Sequence, residues 1–300
     1  MLLIISTIIK YIKGRLDCLP CFLYNLFIKM KKSDKMNSII CPVCGEELRE
    51  ESRSMKCGKG HCFDRAKEGY INLIAGTHKK GSLIGDNRDM ALSRRSFLEK
   101  GYFDILLNEL ISIIKDKSLP CPHILDICCG EGYYSHKIKE KVNCEMCGFD
   151  ISKEMVRLAA KRKNGCEYFV ANLSRIPVRD KSIDIVFHLF APFHEKEFSR
   201  ILKDKGTLIT VVAGENHLFE LKEILYDTPY KNDEMPPETE NITPKEKRKV
   251  TGKIHLSSKE DIDALFRMTP YYYRTSDRDK EKLFSFNELD VTVDFCVFIY

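Results

Sequence analysis

No apolar run in this 300-residue chain is both long and unbroken enough to span a membrane as a helix. The nearest candidate, Met1 to Ile9, is short, and Lys10, Lys13, Arg15 and Asp17 interrupt the residues after it. A secretory signal places its basic residues ahead of the apolar stretch, whereas here they come after it, so no stable membrane association is expected. Surplus positive charge is also missing from most of the chain. The net +5 is accounted for by the first 35 residues, whose seven Lys+Arg and two Asp+Glu leave 42 of each sign over residues 36–300. Overall basicity therefore gives no argument for nucleic-acid binding, and only a local patch can supply one. The Gly-x-Gly-x-x-Gly turn of dinucleotide sites is absent, and so is any internal repeat. The 13 cysteines are scattered over a long chain instead of crowding a short one, which fits a reducing cytoplasm and one metal site better than a disulfide framework. Residues 1–35 read either as a start-site artefact, with Met36 as the start, or as an interfacial amphipathic anchor. Their Cys18 and Cys21 form a pair without nearby partners.

Against these absences stands one dense pattern. Cys41-Pro-Val-Cys44 is followed by Cys57 and His61, with twelve and then three residues between. Two thiolates from one tight turn, met by a second pair, make the closed tetrahedral set of a structural zinc site. Pro42 and Gly45 suit the first turn, and Gly58-Lys-Gly60 suits the second. Cys62 competes for the fourth position on spacing alone.

The remainder has ordinary globular composition, 43% apolar and 10% aromatic, enough for one large domain and a small satellite. Residues 76–89 read as a polar, Gly-rich loop with a basic cluster at 78–88, and helical spacing follows over 90–101 and 103–114. From Pro122 the pattern changes. Strands are predicted at 123–128, 145–150, 167–171, 183–190 and 207–213, with helices at 132–140, 152–163, 194–202 and 216–226. Such alternation implies a parallel sheet covered on both faces. A charged loop over 230–249, a strand near 253–256, a helix near 259–268 and a strand at 291–300 complete the reading.

Ligands of open α/β sheets sit at the carboxyl ends of strands, where glycine lets backbone approach closely. The first predicted strand ends in Asp126-Ile-Cys128-Cys-Gly130-Glu131-Gly132, which resembles the acid-x-Gly-x-Gly-x-Gly turn of class I S-adenosylmethionine-dependent methyltransferases. Cys128 replaces the first glycine. About twenty residues on, Asp150 closes the second strand, where a carboxylate can accept from both ribose hydroxyls or stabilise a helix N-terminus. Asn172, after the third strand, reads as an adenine contact or a turn residue. Phe190-Ala-Pro192-Phe193 ends the fourth strand at the acceptor side, its rings suited to stacking on a base or to core packing. His188 reads as buried structure, while His194 and His217 follow strand ends and are better placed for function. Cys144 and Cys147 open a buried strand and read as packing.

Together these segments are specific. The run from Cys41 through His61-Cys-Phe63-Asp64-Arg-Ala66-Lys67-Glu68-Gly69-Tyr70-Ile-Asn72-Leu73, with Asp126 to Tyr134, Arg94-Arg95-x-Phe97-Leu98, Ala191-Pro192, His217-Leu-x-Glu220-Leu221-Lys222 and Met268-Thr269-Pro270, resembles the 23S ribosomal-RNA (guanine-N1)-methyltransferases. Macrolide-resistance rRNA methyltransferases belong to the same family. The resemblance covers about residues 36 to 300. It implies an α/β chain: a Rossmann-like class I methyltransferase sheet with a small N-terminal zinc-binding module. The implied division is an extension over 1–35, the zinc module over 36–75, a basic loop and helical connector over 76–115 and the methyltransferase domain over 116–300. By resemblance, Cys41, Cys44, Cys57 and His61 are the zinc ligands and Cys62 is a bystander. Gly130, Glu131 and His217 likewise match cofactor-contacting positions, with Phe103 where the family often carries Tyr; Asp126, Gly132, Asp150 and Asn172, from the strand-end reading above, complete the candidate cofactor residues. Expected cofactors are S-adenosylmethionine and Zn2+, and expected partners are a 23S rRNA hairpin and a second copy of the chain. A base for the guanine N1 proton is not evident, with Asp86, His194 and Glu131 as candidates. A small-molecule methyltransferase and a non-catalytic zinc-containing RNA-binding protein are the alternatives.

Overall fold

The computed structural model describes residues 38–74 and 88–300. The expectations for residues 1–37 and 75–87, which include Cys18, Cys21, Asp86 and most of the basic loop, lie outside them. Residues Ser38–Tyr300 form one compact unit.

The described chain begins with three short antiparallel strands, β1 (Arg49–Glu51), β2 (Ser54–Lys56) and β3 (Cys62–Asp64). Met55 and Leu48 are buried beneath them, but so small a layer has little core of its own. The module is fastened to the main domain by backbone. Ile39 bridges Val178, the Ile40 N–H donates to the Pro177 carbonyl at 3.0 Å, and the Arg179 N–H donates to Ser38 at 2.7 Å. Next, β4 (Ile71–Asn72) adds to the edge of the large sheet.

That sheet has eight strands in the order β10-β11-β9-β8-β5-β6-β7-β4. Its central members are β5 (His123–Ile127), β6 (Glu145–Asp150), β7 (Glu167–Val170), β8 (Ile183–Leu189) and β9 (Leu202–Ala213). All pair in parallel, as the alternation predicts. Ile127 lies level with Phe149 on one side and His188 on the other, so three strands end along one edge and deliver their following turns to one place. Helices α1 (Arg88–Glu99), α2 (Asp104–Asp116), α3 (Tyr133–Lys141), α4 (Lys153–Ala160), α5 (Glu195–Ile201), α6 (Phe219–Leu225), α7 (Lys259–Arg267) and α8 (Asp277–Phe284) pack around it. The core is nearly continuous through Ile124, Phe187, Ile209, Val211 and Phe295, as expected of strands buried on both faces.

Four departures have physical causes. The sheet is mixed: β11 (Leu289–Ile299) runs antiparallel to both β9 and β10 (Glu246–Leu256). Strand β10 starts at Glu246, inside the predicted loop, because its outward positions carry Lys247, Lys249 and Lys253 while Val250 and Leu256 face inward. That is the period-two pattern of a half-solvated antiparallel strand, and its charges look like a loop. Strand β9 likewise begins at Leu202 instead of 207, its first turn of sequence being polar and joined to β8 through a register shift near Ile183. Helix α8 buries only Leu283, so it carries almost no apolar periodicity to read; Ser276 starts it by accepting from the Asp279 N–H at 3.2 Å.

Candidate active site and metal centre

Two knuckles build the metal centre. In the first, Cys41 exchanges backbone hydrogen bonds with Glu46 and Gly45 at 2.8 and 2.9 Å, and Gly45 adopts φ +76°, a conformation that favours glycine. In the second, the Gly60 N–H donates to the Cys57 carbonyl at 3.0 Å. The outcome is that the ligating atoms of Cys41, Cys44, Cys57 and His61 all lie within 4.8 Å of one another. Cys44 Sγ is 3.6 Å from Cys57 Sγ, which is 3.3 Å from His61 Nδ1. A tetrahedral zinc with bonds of about 2.3 Å to sulfur and about 2.0 Å to nitrogen needs edges of roughly 3.7 and 3.5 Å, so the donor set fits the ion. Cys62 is exposed and outside this set.

The second site opens at the common edge of β5, β6 and β8 as a cavity of about 640 Å³. Its floor is the turn after β5. Cys128 has φ 55°, Gly130 φ 57° and Gly132 φ 78°, so three residues in five are left-handed. At Gly132 a Cβ would lie 2.8 Å from that of Ala159 and 2.9 Å from the Tyr168 hydroxyl, and only glycine lets the chain pass. Cys128 holds the same kind of backbone conformation with a side chain attached. Gly130 donates its N–H to Asp150 Oδ2 at 3.0 Å and Ser152 donates to Oδ1 at 2.8 Å, which orients the carboxylate at the cavity wall.

Burial tunes the acids here. Asp126 is almost wholly buried, accepts from the Ser135 hydroxyl at 2.5 Å, and has its pKa pushed up to about 7 by the loss of hydration. Glu131 is also buried. One of its oxygens pairs with Arg162, whose guanidinium also holds Glu99, while Oε1 faces no hydrogen-bond partner among the described residues. Burial raises the Glu131 pKa against the pull of Arg162.

Across the cavity stand Phe103, Phe190 and His217. The Asp294 N–H donates to His217 Nδ1 at 3.2 Å, which requires that nitrogen to be unprotonated and puts the ring hydrogen on Nε2. Burial lowers the His217 pKa to about 4, so the ring is neutral at physiological pH. Phe103 and Phe295 meet it edge-on and tilted, with centroids at 5.9 and 4.8 Å.

Residues 39–82 match the family described as "RlmA, N-terminal", a zinc ribbon, and residues 124–206 match a methyltransferase domain. A 23S rRNA (guanine(748)-N(1))-methyltransferase of Streptomyces fradiae is 32% identical over 189 residues, covering 62% of this chain and 66% of that protein. A Bacillus subtilis protein assigned as a 23S rRNA (guanine-N(1)-)-methyltransferase is 28% identical over 293 residues, 90% of this chain and 99% of that one. The chain belongs to the 23S rRNA (guanine-N1)-methyltransferase family. Among solved structures, a SAM-dependent methyltransferase of Methanosarcina mazei is 29% identical with a TM-score of 0.32, covering 38% of this chain and 63% of that one.

In this methyltransferase, seven of the eight expected cofactor residues fall close together: Phe103, Asp126, Gly130, Glu131, Asp150 and His217 line the cavity, and Gly132 ends its floor turn. Asn172 does not line it. Its Oδ1 accepts from the Ser174 N–H and hydroxyl at 3.0 and 3.1 Å, the turn reading of this residue. His194 also stands outside the cavity wall, capping α5 by accepting from the Glu197 N–H at 3.4 Å. The paired phenylalanines separate. Phe190 is at the cavity, whereas Phe193 packs on His188 and Phe198 at 5.3 and 5.0 Å. His188 is buried, as expected. Sequence reasoning missed Tyr230, a cavity residue hidden in a charged loop, and gave no role to Lys222, which is fully buried yet offers no local signal beyond one lysine on a helix.

Proposed function

We propose that this chain transfers a methyl group from S-adenosylmethionine to N1 of a guanine in a 23S rRNA hairpin. The observation that carries the reading is the joining of two sites in one unit: a Gly130–Asp150 turn opening into a cavity of about 640 Å³, and a Cys3His ribbon fastened beside β7 and β8. A small-molecule methyltransferase has use for the first alone, and a non-catalytic RNA binder for the second alone.

Each residue at the cavity then has a part. Asp150 accepts from the ribose hydroxyls, its carboxylate already oriented by Gly130 and Ser152. Phe103 and His217 border the bound cofactor, and His217 acts there only as an Nε2–H donor. Gly130, Gly132 and Asp126 shape the turn under it, and Glu131 Oε1 offers a buried acceptor to a ligand hydrogen. Bound S-adenosylmethionine supplies an electrophilic methyl on a sulfonium. The protein contributes alignment, and proximity of this sort is worth up to about 7–11 kcal/mol. Guanine N1 must also lose its proton. Neither Glu131, which is tied to Arg162, nor His194, which caps a helix, is arranged as that base.

The zinc module over 36–75 is assigned to RNA recognition, together with the basic loop and the Arg94-Arg95 segment. Pairing as a homodimer and a cytoplasmic location belong to the same proposal; among the described residues, no helix is long and apolar enough to cross a membrane. Mass mapping of 23S rRNA nucleosides from cells with and without the gene tests the reaction. One guanine-N1 methyl group should disappear with the gene, and an unchanged pattern rejects the proposal. Calorimetry with S-adenosylmethionine tests the cofactor, where absence of binding at millimolar concentration favours the non-catalytic alternative. Light scattering tests the dimer, and a monomeric mass rejects it.

A further inference from the structure

We propose that Phe190 and Tyr230 are the two walls of a slot that receives the acceptor base, a purine extruded from its stack, and that Lys222 is the positioning residue for the Tyr230 wall. The inference rests on the methyltransferase reading and deepens it by naming the acceptor subsite.

Both aromatic residues line the cavity and are left in solvent to an unusual degree for their size, Phe190 at 48% and Tyr230 at 54%. Each is held there by an arrangement that is unfavourable by itself. Phe190 sits directly after β8 with φ 54°, where a bulky residue is an outlier that the surroundings must impose. Its N–H is fixed to the Val211 carbonyl at 3.1 Å, and one ring face lies near-parallel to His217, with centroids 6.4 Å apart and planes at 22°.

Tyr230 lies in a segment without regular structure, between α6 and β10. What holds it is a lysine with no exposed surface. Lys222 Nζ donates to the Tyr230 carbonyl at 2.8 Å and to Asn232 Oδ1 at 2.7 Å, and stands 4.1 Å from the Tyr230 ring centroid. Burying an ammonium is costly unless its hydrogen bonds are met, and here those bonds go to one short stretch of loop. Asn232 in turn donates to the carbonyls of Gly214 and His217 at 2.9 and 3.3 Å. His217 therefore serves as a common reference: its ring backs Phe190 and its carbonyl anchors the Tyr230 loop.

The place in the sheet says which ligand the slot takes. Phe190 follows β8, and the Tyr230 loop is tied to the end of β9 through Gly214; Asp150 is the last residue of β6, on the far side of β5. A slot on the β8–β9 side is separated from the proposed ribose position, so it suits the acceptor better than the adenosyl group. Extruded bases are read by stacking between aromatic side chains, and every base offers a π-face to do so.

Saturation-transfer NMR with guanosine 5′-monophosphate, on the full zinc-loaded chain, tests the slot directly. Transfer to the guanine H8 is expected in the wild type and in Phe286→Ala, an exposed aromatic outside the cavity. It should fall at least about fivefold in Phe190→Ala and in Tyr230→Ala, since base stacking on one aromatic ring is worth that order of affinity. Absence of transfer in the wild type, or undiminished transfer in a chain carrying both Phe190→Ala and Tyr230→Ala, overturns the proposal. With rRNA as substrate, each alanine variant should raise KM about tenfold while S-adenosylmethionine affinity stays unchanged. Lys222→Met should raise KM likewise and add nothing to Tyr230→Ala, because the two then remove one effect. Additive losses reject the positioning role. Binding of the nucleotide without methylation of 23S rRNA leaves the slot standing and refutes the reaction instead.

Discussion

His188 Nε2 lies 3.0 Å from the carbonyl oxygen of Pro192. A carbonyl only accepts, so that nitrogen carries the ring hydrogen, and burial keeps the imidazole neutral by lowering its pKa. The bond closes the turn from β8 that carries Phe190, and the same ring supports Phe193 and Phe198 at 5.3 and 5.4 Å. Gln places a donor near the Nε2 position, so His188→Gln is expected to keep the turn. His188→Leu removes the bond to the Pro192 carbonyl and should lose about 0.5–1.5 kcal/mol. Chemical denaturation compares the two, and a leucine variant as stable as the glutamine one would show that the bond does nothing.

Cys128 has φ 55° in the floor of the cavity. A left-handed conformation costs a residue bearing a Cβ about 1–2 kcal/mol, while glycine adds about 0.5–1 kcal/mol of unfolded-state freedom. Cys128→Gly is therefore expected to be neutral to about 1 kcal/mol more stable, and Cys128→Val, with its branched Cβ, to be less stable than wild type. Urea midpoints decide it, and the reverse order would falsify the strain argument.

Asp126 gives a pH dependence with a definite sign. Its folded pKa is about 7, against about 3.9 for an exposed aspartate, so between these values the folded chain holds a proton that the unfolded chain has released. Its contribution is full below about pH 4 and declines as pH rises toward 7, by at most about 1.4 kcal/mol per unit. Asp126→Asn should remove that decline, keeping the Ser135 contact. Denaturation at pH 5 and pH 8 measures it; equal slopes in the two proteins would exclude Asp126 as the source.

Zinc should be bound one per chain. Cys41→Ser is expected to lose the metal and much of the soluble yield, because the ribbon has little core without it. Cys62→Ser should keep both, since its thiol is exposed and outside the donor cluster. Elemental analysis of the purified variants is the measurement. A Cys41→Ser protein that folds equally well without metal would end the structural assignment.

Much of this molecule is legible in its residues alone. The knuckle spacing names the metal ligands apart from the choice between His61 and Cys62, which spacing alone cannot make. That choice turns on which way a strand residue points: Cys62 opens β3 and faces out. The central strands and the Asp126–Gly132 turn are readable because each is a local pattern: an apolar run, a glycine, an acid at a strand end. Strand β10 is half missed because surface lysines on its outer face hide the alternation, and α8 because it buries one side chain.

The sequence by itself determined the chemistry on offer: three thiols and an imidazole at zinc spacing, a glycine-bearing turn after a strand, and an acid twenty residues on. These are short-range features, set by bond geometry and by which residues tolerate a tight turn. Only the tertiary structure decided which groups are left to act. It paired Glu131 with Arg162, placed the Asp294 N–H on His217 from 77 residues away, sent Phe190 to the cavity and Phe193 to the core, and set a buried lysine under Tyr230. Such partnerships depend on sheet order and register, which are settled by packing the whole core at once, and no local pattern of residues encodes them.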